Sequence, residues 1–579
     1  MSRSRSGSDA GLSAAVARAV RAAGGNAALV DLACAATLAD LEGHSALPLD
    51  GAWAQTVAAL DGSALVGSAI DFDPRRHWFV LDGAQFFLAR NWRDETAIAA
   101  HLRARLAAPA TPQAPVSAQD LACLFGPIAD LGDAKDAPDA SQRRAVAACV
   151  GRRLVVLTGG PGTGKTRTVL GMLLAMGCDF ARTHRRLPQI GLAAPTGKAA
   201  RALQLAFDEQ ARALAPRLQE PAAVEFGELL GRAREANAST LHRLLGIHGA
   251  GAEPRHHAGA QLALDLLVVD EASMLDLGMM RALLAALPEH AQLVLVGDAD
   301  QLHAVGSGSV LADLVSALES GRHPALFRLR HSFRASVELV ALAGAVGRGE
   351  ALPLAASAAF APIDPSAPGA LDLWLAQWTC RVRSALGDAG VFEAADRDDA
   401  ARLRCLAAFK RRQLLCVLRE GRFGAQTLSQ HIDAALTDAA WPRQRQWFAG
   451  RVVMVTQNDG LSGLVNGDVG LCLVNAQQQF EVVFEGAGGV RVLHPQALPA
   501  HQSAFALTVH KSQGSEYDEV ALVLPEQPDH PLLSRQLLYT ALTRARQRFE
   551  LLGRPEVIDA AIARPAGRAS GLAARLGVG

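Results

Sequence analysis

The stretch Leu154–Thr166, LVVLTGGPGTGKT, limits what this chain can fold into more than any other part of it. An apolar run enters a glycine-rich turn ending on Lys165 and Thr166, and RTVLGMLLAM after it carries helical periodicity. Strand, loop and helix in that order, with Gly159, Gly164, Lys165 and Thr166 at the spacing of a phosphate-binding loop, predict a parallel sheet flanked by helices. The run Gly159, Gly160, Pro161, Gly162, Thr163, Gly164 supplies backbone that wraps phosphates, and the helix N-terminus adds positive potential. Lys165 reaches the terminal phosphates and Thr166 can hold Mg²⁺. Arg167, next in the helix, is grouped with them.

The lysine census supports this reading. Of 57 lysines and arginines only five are lysine, namely Lys135, Lys165, Lys198, Lys410 and Lys511. Such a chain keeps lysine where a compact ammonium is needed in place of a planar guanidinium. Tyrosine is as scarce, with only Tyr517 and Tyr539, both in polar clusters.

A second apolar run, LLVVDEAS, delivers Asp270 and Glu271 to a strand end. Adjacent carboxylates separate two roles, Asp270 for the metal and Glu271 for the attacking water. VLVGDADQL places Asp298 and Gln301 at another strand end, where Gln301 can sense the γ-phosphate. Downstream there is no second phosphate loop, but RLRHSFR offers Arg330 and Arg334, and LLYTALTRARQR offers Arg544. An arginine placed across a cleft makes hydrolysis depend on closure of that cleft.

These motifs sit in a chain of 579 residues, longer than one core usually organises. Half the residues are hydrophobic, a fifth are charged, and 57 acids balance 57 bases, which excludes a disordered tail and a wholly basic nucleic-acid coat. The eight cysteines show no CxxC pair or metal-ligand spacing, so reduced thiols are expected. No apolar run approaches membrane-span length and MSRSRSGSDAG does not lead into a signal-peptide core, so a cytoplasmic protein without membrane contact is expected. The fold class expected is α/β, with two parallel-sheet lobes. Residues 1–115 read as a mostly helical N-terminal domain ending in the linker APATPQAPVSAQD. Residues 116–325 form the first lobe and 326–579 the second, with a β-rich insertion at about 445–500. The Pro/Ala-rich segment 351–370 reads as an irregular connection.

In order, QRRAVA, GGPGTGKT, APTGKAAR, TLHRLL, VVDEASM, GDADQL, LRHSFR, TVHKSQGSE and YTALTRAR resemble the motif set of superfamily 1 DNA helicases. LREGRFGAQTLS, GLVNGDVG, ARNWRDE and RASGLAARL extend the resemblance to the RecD family, the alpha subunits of exodeoxyribonuclease V, the RecBCD complex. The resemblance implies two RecA-like P-loop NTPase lobes, an SH3-like insertion and a small duplex-splitting hairpin at LLGIHGAGAEPRHHAGAQ. It implies an ATP- and Mg²⁺-dependent 5′ to 3′ helicase acting on single-stranded and duplex-end DNA in double-strand break repair by homologous recombination, with RecB-like and RecC-like partners. The nuclease centre that the resemblance implies is expected on a partner, since this sequence shows no Asp, Glu-x-Lys constellation and no lysine follows a glutamate by two.

Carried over by position, Gln142 reads adenine, and Gln513 and Glu516 bridge to nucleotide. Gln301, Arg334 and Arg544 are the γ-phosphate sensor and the two arginines that couple the lobes. Thr196, Lys198, His242, Thr508, His510, Lys511 and Ser512 contact the strand. For His242 and His510 a structural role stands beside the functional one, as core packing does for Phe333, Phe505 and Trp447. His256 and His257 lack the further ligands of a zinc site. A stand-alone superfamily 1 helicase and a nucleotide-bound DNA clamp that does not hydrolyse are the alternative readings.

Overall fold

Runs of β-branched and leucine residues that end in polar clusters become strands whose carboxyl ends share one edge. In the computed structural model, residues 2–577 are described apart from 52, 61–62, 110–113, 127–138, 220–223, 250, 354, 438–442, 445–446 and 487–488. The expected linker 108–120 and the insertion's start at 445 therefore lie partly outside the described residues, as does Lys135.

The first lobe is a six-stranded, all-parallel sheet in the order Leu326–Leu329, Leu154–Gly159, Gln292–Gly297, Leu266–Val269, Ile190–Ala194, Ser239–Thr240, so the expected boundary at 325/326 is corrected: Leu326–Leu329 pairs with Leu154–Gly159 and belongs to this lobe. Side chains alternate across it, as the two-residue period of a strand requires. Val155 and Leu157 join one apolar core with helix Lys165–His184, and Leu154 and Val156 join another with helices Leu277–Ala286 and Val310–Ser320. Both faces are thus covered, which is why these strands read as continuous apolar runs.

The second lobe is a five-stranded parallel sheet in the order Phe360–Ile363, Ala545–Leu552, Tyr517–Val523, Arg412–Cys416, Ala506–Thr508. Phe360–Ile363 corrects the reading of 351–370 as irregular throughout: Pro362 is tolerated because the strand lies at the sheet edge. The β-rich insertion is a five-stranded antiparallel sheet over Val452–Val455, Val469–Val474, Phe480–Gly486, Gly489–Leu493 and His501–Ser503. It runs past the expected residue 500 because His501–Ser503 pairs with Val453–Val455.

The N-terminal region has helices Ser2–Ala22, Ala27–Leu41 and Ala89–Ala107, and also a four-stranded sheet formed by Leu47–Pro48, Gln85–Leu88, Phe79–Asp82 and Val66–Ser68. Its last helix merges with the first lobe: Ile98, Ala99 and Leu102 share a core with Leu283 and Leu314. Arg105 on that helix is buried and donates to the carbonyls of Leu287, Pro288 and Ala291 at 2.5–3.1 Å. Helix Leu572–Leu576 packs into the same core of the first lobe, although it follows the second sheet in sequence. In the segment 244–261, where residue 250 lies outside the described residues, a reciprocal antiparallel bridge joins His257 and Ala260, and no longer ladder forms among the described residues.

Candidate nucleotide site and strand-contacting edge

The glycine-rich loop leaves the buried strand Leu154–Gly159 and enters helix Lys165–His184 through Gly164. Gly162 and Gly164 have φ of 72° and 78°, the left-handed region that glycine occupies without steric cost. A Cβ on Gly164 would sit 2.2 Å from Gln142 Nε2. The Lys165 ammonium donates to the carbonyls of Gly159 and Gly160 at 2.8 and 3.0 Å, so it is held inside the loop it is meant to serve. Thr163 is buried and donates to Gly160 O at 2.8 Å, fixing the turn.

Gln142 lies beneath the loop. Its Nε2 donates to Thr163 O at 2.9 Å, while its Oε1 is buried with no hydrogen-bond partner, an acceptor aimed at a donor that the protein does not supply. Arg167 is turned elsewhere: it donates to Phe125 O at 3.0 Å and stacks on the Phe125 ring beside Arg143.

Asp270 follows the buried strand Leu266–Val269. Burial and the Glu271 charge push its carboxyl up to about 6, with Lys165 pulling the other way. Glu271 has φ of 52°, a conformation that costs a side-chain-bearing residue about 1–3 kcal/mol. Its N–H donates to Asp270 Oδ1 at 2.9 Å, which fixes the pair.

Between the lobes runs a chain of hydrogen bonds. Arg544, 2% exposed, donates to Gln301 Oε1 at 2.6 Å. Gln301 and Tyr539 each donate to Asp298 Oδ2, at 3.0 and 3.1 Å. Leu302 N donates to Thr540 Oγ1 at 2.9 Å, and Gln513 Nε2 meets Leu302 O at 3.4 Å. A cavity of about 710 Å³ adjoins this seam, lined by Gly160, Gly162, Arg328, Arg334, Tyr539 and Arg546 among others. Arg334 Cβ lies close against the loop, 3.0 Å from where a Gly162 Cβ would be, and its guanidinium reaches Glu516 at 3.5 Å. Burial raises the Glu516 carboxyl, but the Arg546 hydrogen bonds and the Arg334, Arg546 and Arg544 charges outweigh it and hold the group below its usual range. Sequence reasoning missed Thr540 and Arg546; both lie in YTALTRAR, four residues before and two residues after the selected Arg544.

The residues assigned to the strand fall at carboxyl ends of both sheets. Thr196 caps helix Gly197–Leu214, accepting from Ala199 N at 3.2 Å. Lys198 follows in its first turn, its ammonium pushed down to about 8 by burial and by Lys410, with Asp468 opposing. His242 is exposed, and Thr508 ends strand Ala506–Thr508 with no side-chain capping bond. Burial and Arg568 lower the His510 pKa. Lys511 donates to Gln502 at 3.1 Å. Ser512 is corrected: it is fully buried and its hydroxyl is spent on Val509 O at 2.7 Å, so it shapes the turn and cannot reach a strand. Phe505 is core, 2% exposed, whereas Phe333 is 47% exposed beside the seam; Trp447 packs against His501 and Arg451. Among the described residues no His, Cys, Asp and Glu cluster of three or more could hold a metal, all eight cysteines are free, and no helix is long and apolar enough to cross a membrane.

An AAA domain model matches residues 142–307, and a UvrD-like helicase C-terminal domain model matches 503–551. The chain is 36% identical to the RecBCD enzyme subunit RecD of Mycobacterium tuberculosis, covering 98% of this chain and 92% of that one. It is 30% identical to the subunit RecD of Haemophilus influenzae over 74% of this chain and 71% of that one. The ATP-dependent RecD2 DNA helicase of Deinococcus radiodurans is 34% identical over 72% of this chain and 49% of its own length. With its two RecA-like lobes and nucleotide-binding loop, the chain belongs to the RecD family and is an ATP-dependent DNA helicase of superfamily 1.

Proposed function

We propose that the chain is the motor that translocates 5′ to 3′ on single-stranded DNA and opens duplex ends within a heterotrimer with RecB-like and RecC-like subunits. The observation that carries the motor reading is the hydrogen-bonded path Arg544–Gln301–Asp298–Tyr539, which ties catalytic candidates of one lobe to those of the other. The subunit names of the relatives support the heterotrimer, and residues 1–115 are the proposed docking unit.

In this reading the loop carbonyls release Lys165 to the β- and γ-phosphates, and Gln142 Oε1 accepts from the adenine amine. Gln301, held by Arg544 and Asp298, reads the γ-phosphate. Arg334 leaves Glu516 for the transferring group as the lobes close, and Arg544 turns from Gln301. Glu271, locked by its backbone, orients water. Mg²⁺ fits the donor set: the Thr166 hydroxyl and the Asp270 carboxyl are hard oxygen ligands, and few protein ligands suit an ion that also keeps phosphates and waters. Bound there it would neutralise charge on the phosphates. Thr196, Lys198, His242, Thr508, His510 and Lys511 would hold the strand backbone, whose phosphates dominate affinity.

Strand separation by the isolated chain on duplexes with a 5′ or a 3′ tail tests this. Unwinding of the 5′-tailed substrate alone is expected; unwinding only from the 3′ tail contradicts the polarity. A stand-alone helicase is the second reading, since one relative bears the name ATP-dependent RecD2 DNA helicase without naming a RecBCD enzyme. Co-elution with RecB-like and RecC-like chains in gel filtration favours the heterotrimer, and separate elution favours the second reading.

A further inference from the structure

The antiparallel module belongs by sequence to the second lobe, yet its loop 459–468 rests on the first lobe, on the opening turns of helix Gly197–Leu214. A Cβ on Gly197 would lie 3.1 Å from Val465 Cβ, and one on Gly467 would lie 3.5 Å from Lys198 Cδ. One turn along the helix, Arg201 Nη1 stands 2.9 Å from both oxygens of Asp468, and its Nη2 is 3.4 Å from Gly463 O. Asp468 is only 8% exposed and also accepts from Val465 N at 2.9 Å. This is not the solvated ion pair that contributes little.

The loop is built in advance to present that carboxylate. Ser462 N donates to Asp459, Asn466 N donates to Asn458, and Gly467 N donates to Val455 O, all at 2.8–2.9 Å. The module is tied to its own lobe by Arg402 with Glu481 and by Lys410 with Glu485, whose carbonyl lies 3.5 Å from Arg201 Nη1. Beneath the loop, among the described residues, no acceptor meets the Lys198 ammonium, and burial holds its charge at a disadvantage that a phosphate would relieve.

We infer that Arg201 and Asp468 form a clasp that closes the module over the strand-contacting edge and retains single-stranded DNA against Lys198 while the lobes open and shut. In the proposed motor the lobes part and close around the strand, and a bridge that spans both lobes keeps the strand from leaving. The inference rests on the proposed role of Lys198 at that edge.

The test is the dissociation rate of a fluorescent oligothymidylate from the full chain, measured by stopped flow against unlabelled competitor. Arg201→Glu and Asp468→Arg should each raise the rate at least tenfold. The charge-swapped pair Arg201→Asp with Asp468→Arg should return it to within threefold of the parent, and DNA-independent ATP hydrolysis should be unchanged throughout. Parental rates in both single variants overturn the clasp; slower rates overturn it too, since the loop would then be a lid that obstructs the strand. Arg201→Gln is read in place of any single variant that loses its fold. Lys198→Ala is measured alongside: undiminished affinity there rejects the edge assignment itself, whereas lost affinity with unaffected Arg201 variants rejects only the clasp.

Discussion

Lys165 shows at the scale of one residue how a side chain serves two partners. Its ammonium already makes two hydrogen bonds to loop carbonyls, and phosphate oxygens have only to compete for the same protons. Lys165→Ala should therefore leave the far-ultraviolet spectrum and melting temperature close to parental while DNA-stimulated ATP hydrolysis falls at least about a hundredfold, the scale of losing one preorganised donor. Lys198 gives a pH prediction with a definite sign. Burial, then Lys410 and Arg544, lower its pKa to about 8 against the pull of Asp468, so the ammonium proposed to bind phosphate is lost as pH rises through 8. Affinity for single-stranded DNA at fixed ionic strength should decline between pH 7 and pH 9, and Lys198→Arg should flatten that decline, because a guanidinium stays charged.

The loop that joins strand to helix shows what an element demands of its sequence. Gly164 has positive φ and abuts the Gln142 amide, so Gly164→Ala meets both a strained backbone and a clash. It should destabilise the first lobe by about 1–3 kcal/mol and weaken nucleotide binding, read by urea denaturation and by titration with a fluorescent ATP analogue. Such local demands are why the P-loop, the Asp270–Glu271 strand end and both parallel sheets were legible in the sequence: fixed spacing and apolar runs encode them directly. The edge strand Phe360–Ile363 was hidden by Pro362, and strand His501–Ser503 by being only three polar residues long. Ser512 was misjudged because its motif position says nothing of burial. The Arg201–Asp468 pair joins residues 267 positions apart, a distance over which no local pattern carries information.

At the scale of the whole molecule the two ends of the chain are fastened together. Glu95, fully buried, accepts from Ser45 and Ser570 hydroxyls at 2.6 and 3.0 Å, from Gly571 N at 3.1 Å and from Arg575 Nε at 3.1 Å. Arg568 donates to the carbonyls of Ala304, Gly306 and Gly308 at 2.6–2.8 Å. Upstream, Arg564 and Ala566 bond to His530 and Gln536 of the second lobe, so the C-terminal strap crosses from one lobe to the other. Glu95→Ala takes the acceptor from Ser45, Ser570 and Gly571, while Arg575 keeps Asp82 at 2.7 Å, and should cost about 1–3 kcal/mol, the scale of leaving buried donors unsatisfied. The expected readout is a lower first unfolding transition in calorimetry and faster proteolysis after residue 564.

The central claim is that hydrolysis waits for arginines that act across the seam. Arg544→Ala should bind a fluorescent ATP analogue within about threefold of the parent, while single-turnover hydrolysis in the presence of single-stranded DNA falls by about a thousandfold or more, the scale of an arginine finger. Hydrolysis at the parental rate in that variant, with nucleotide bound, would contradict the account.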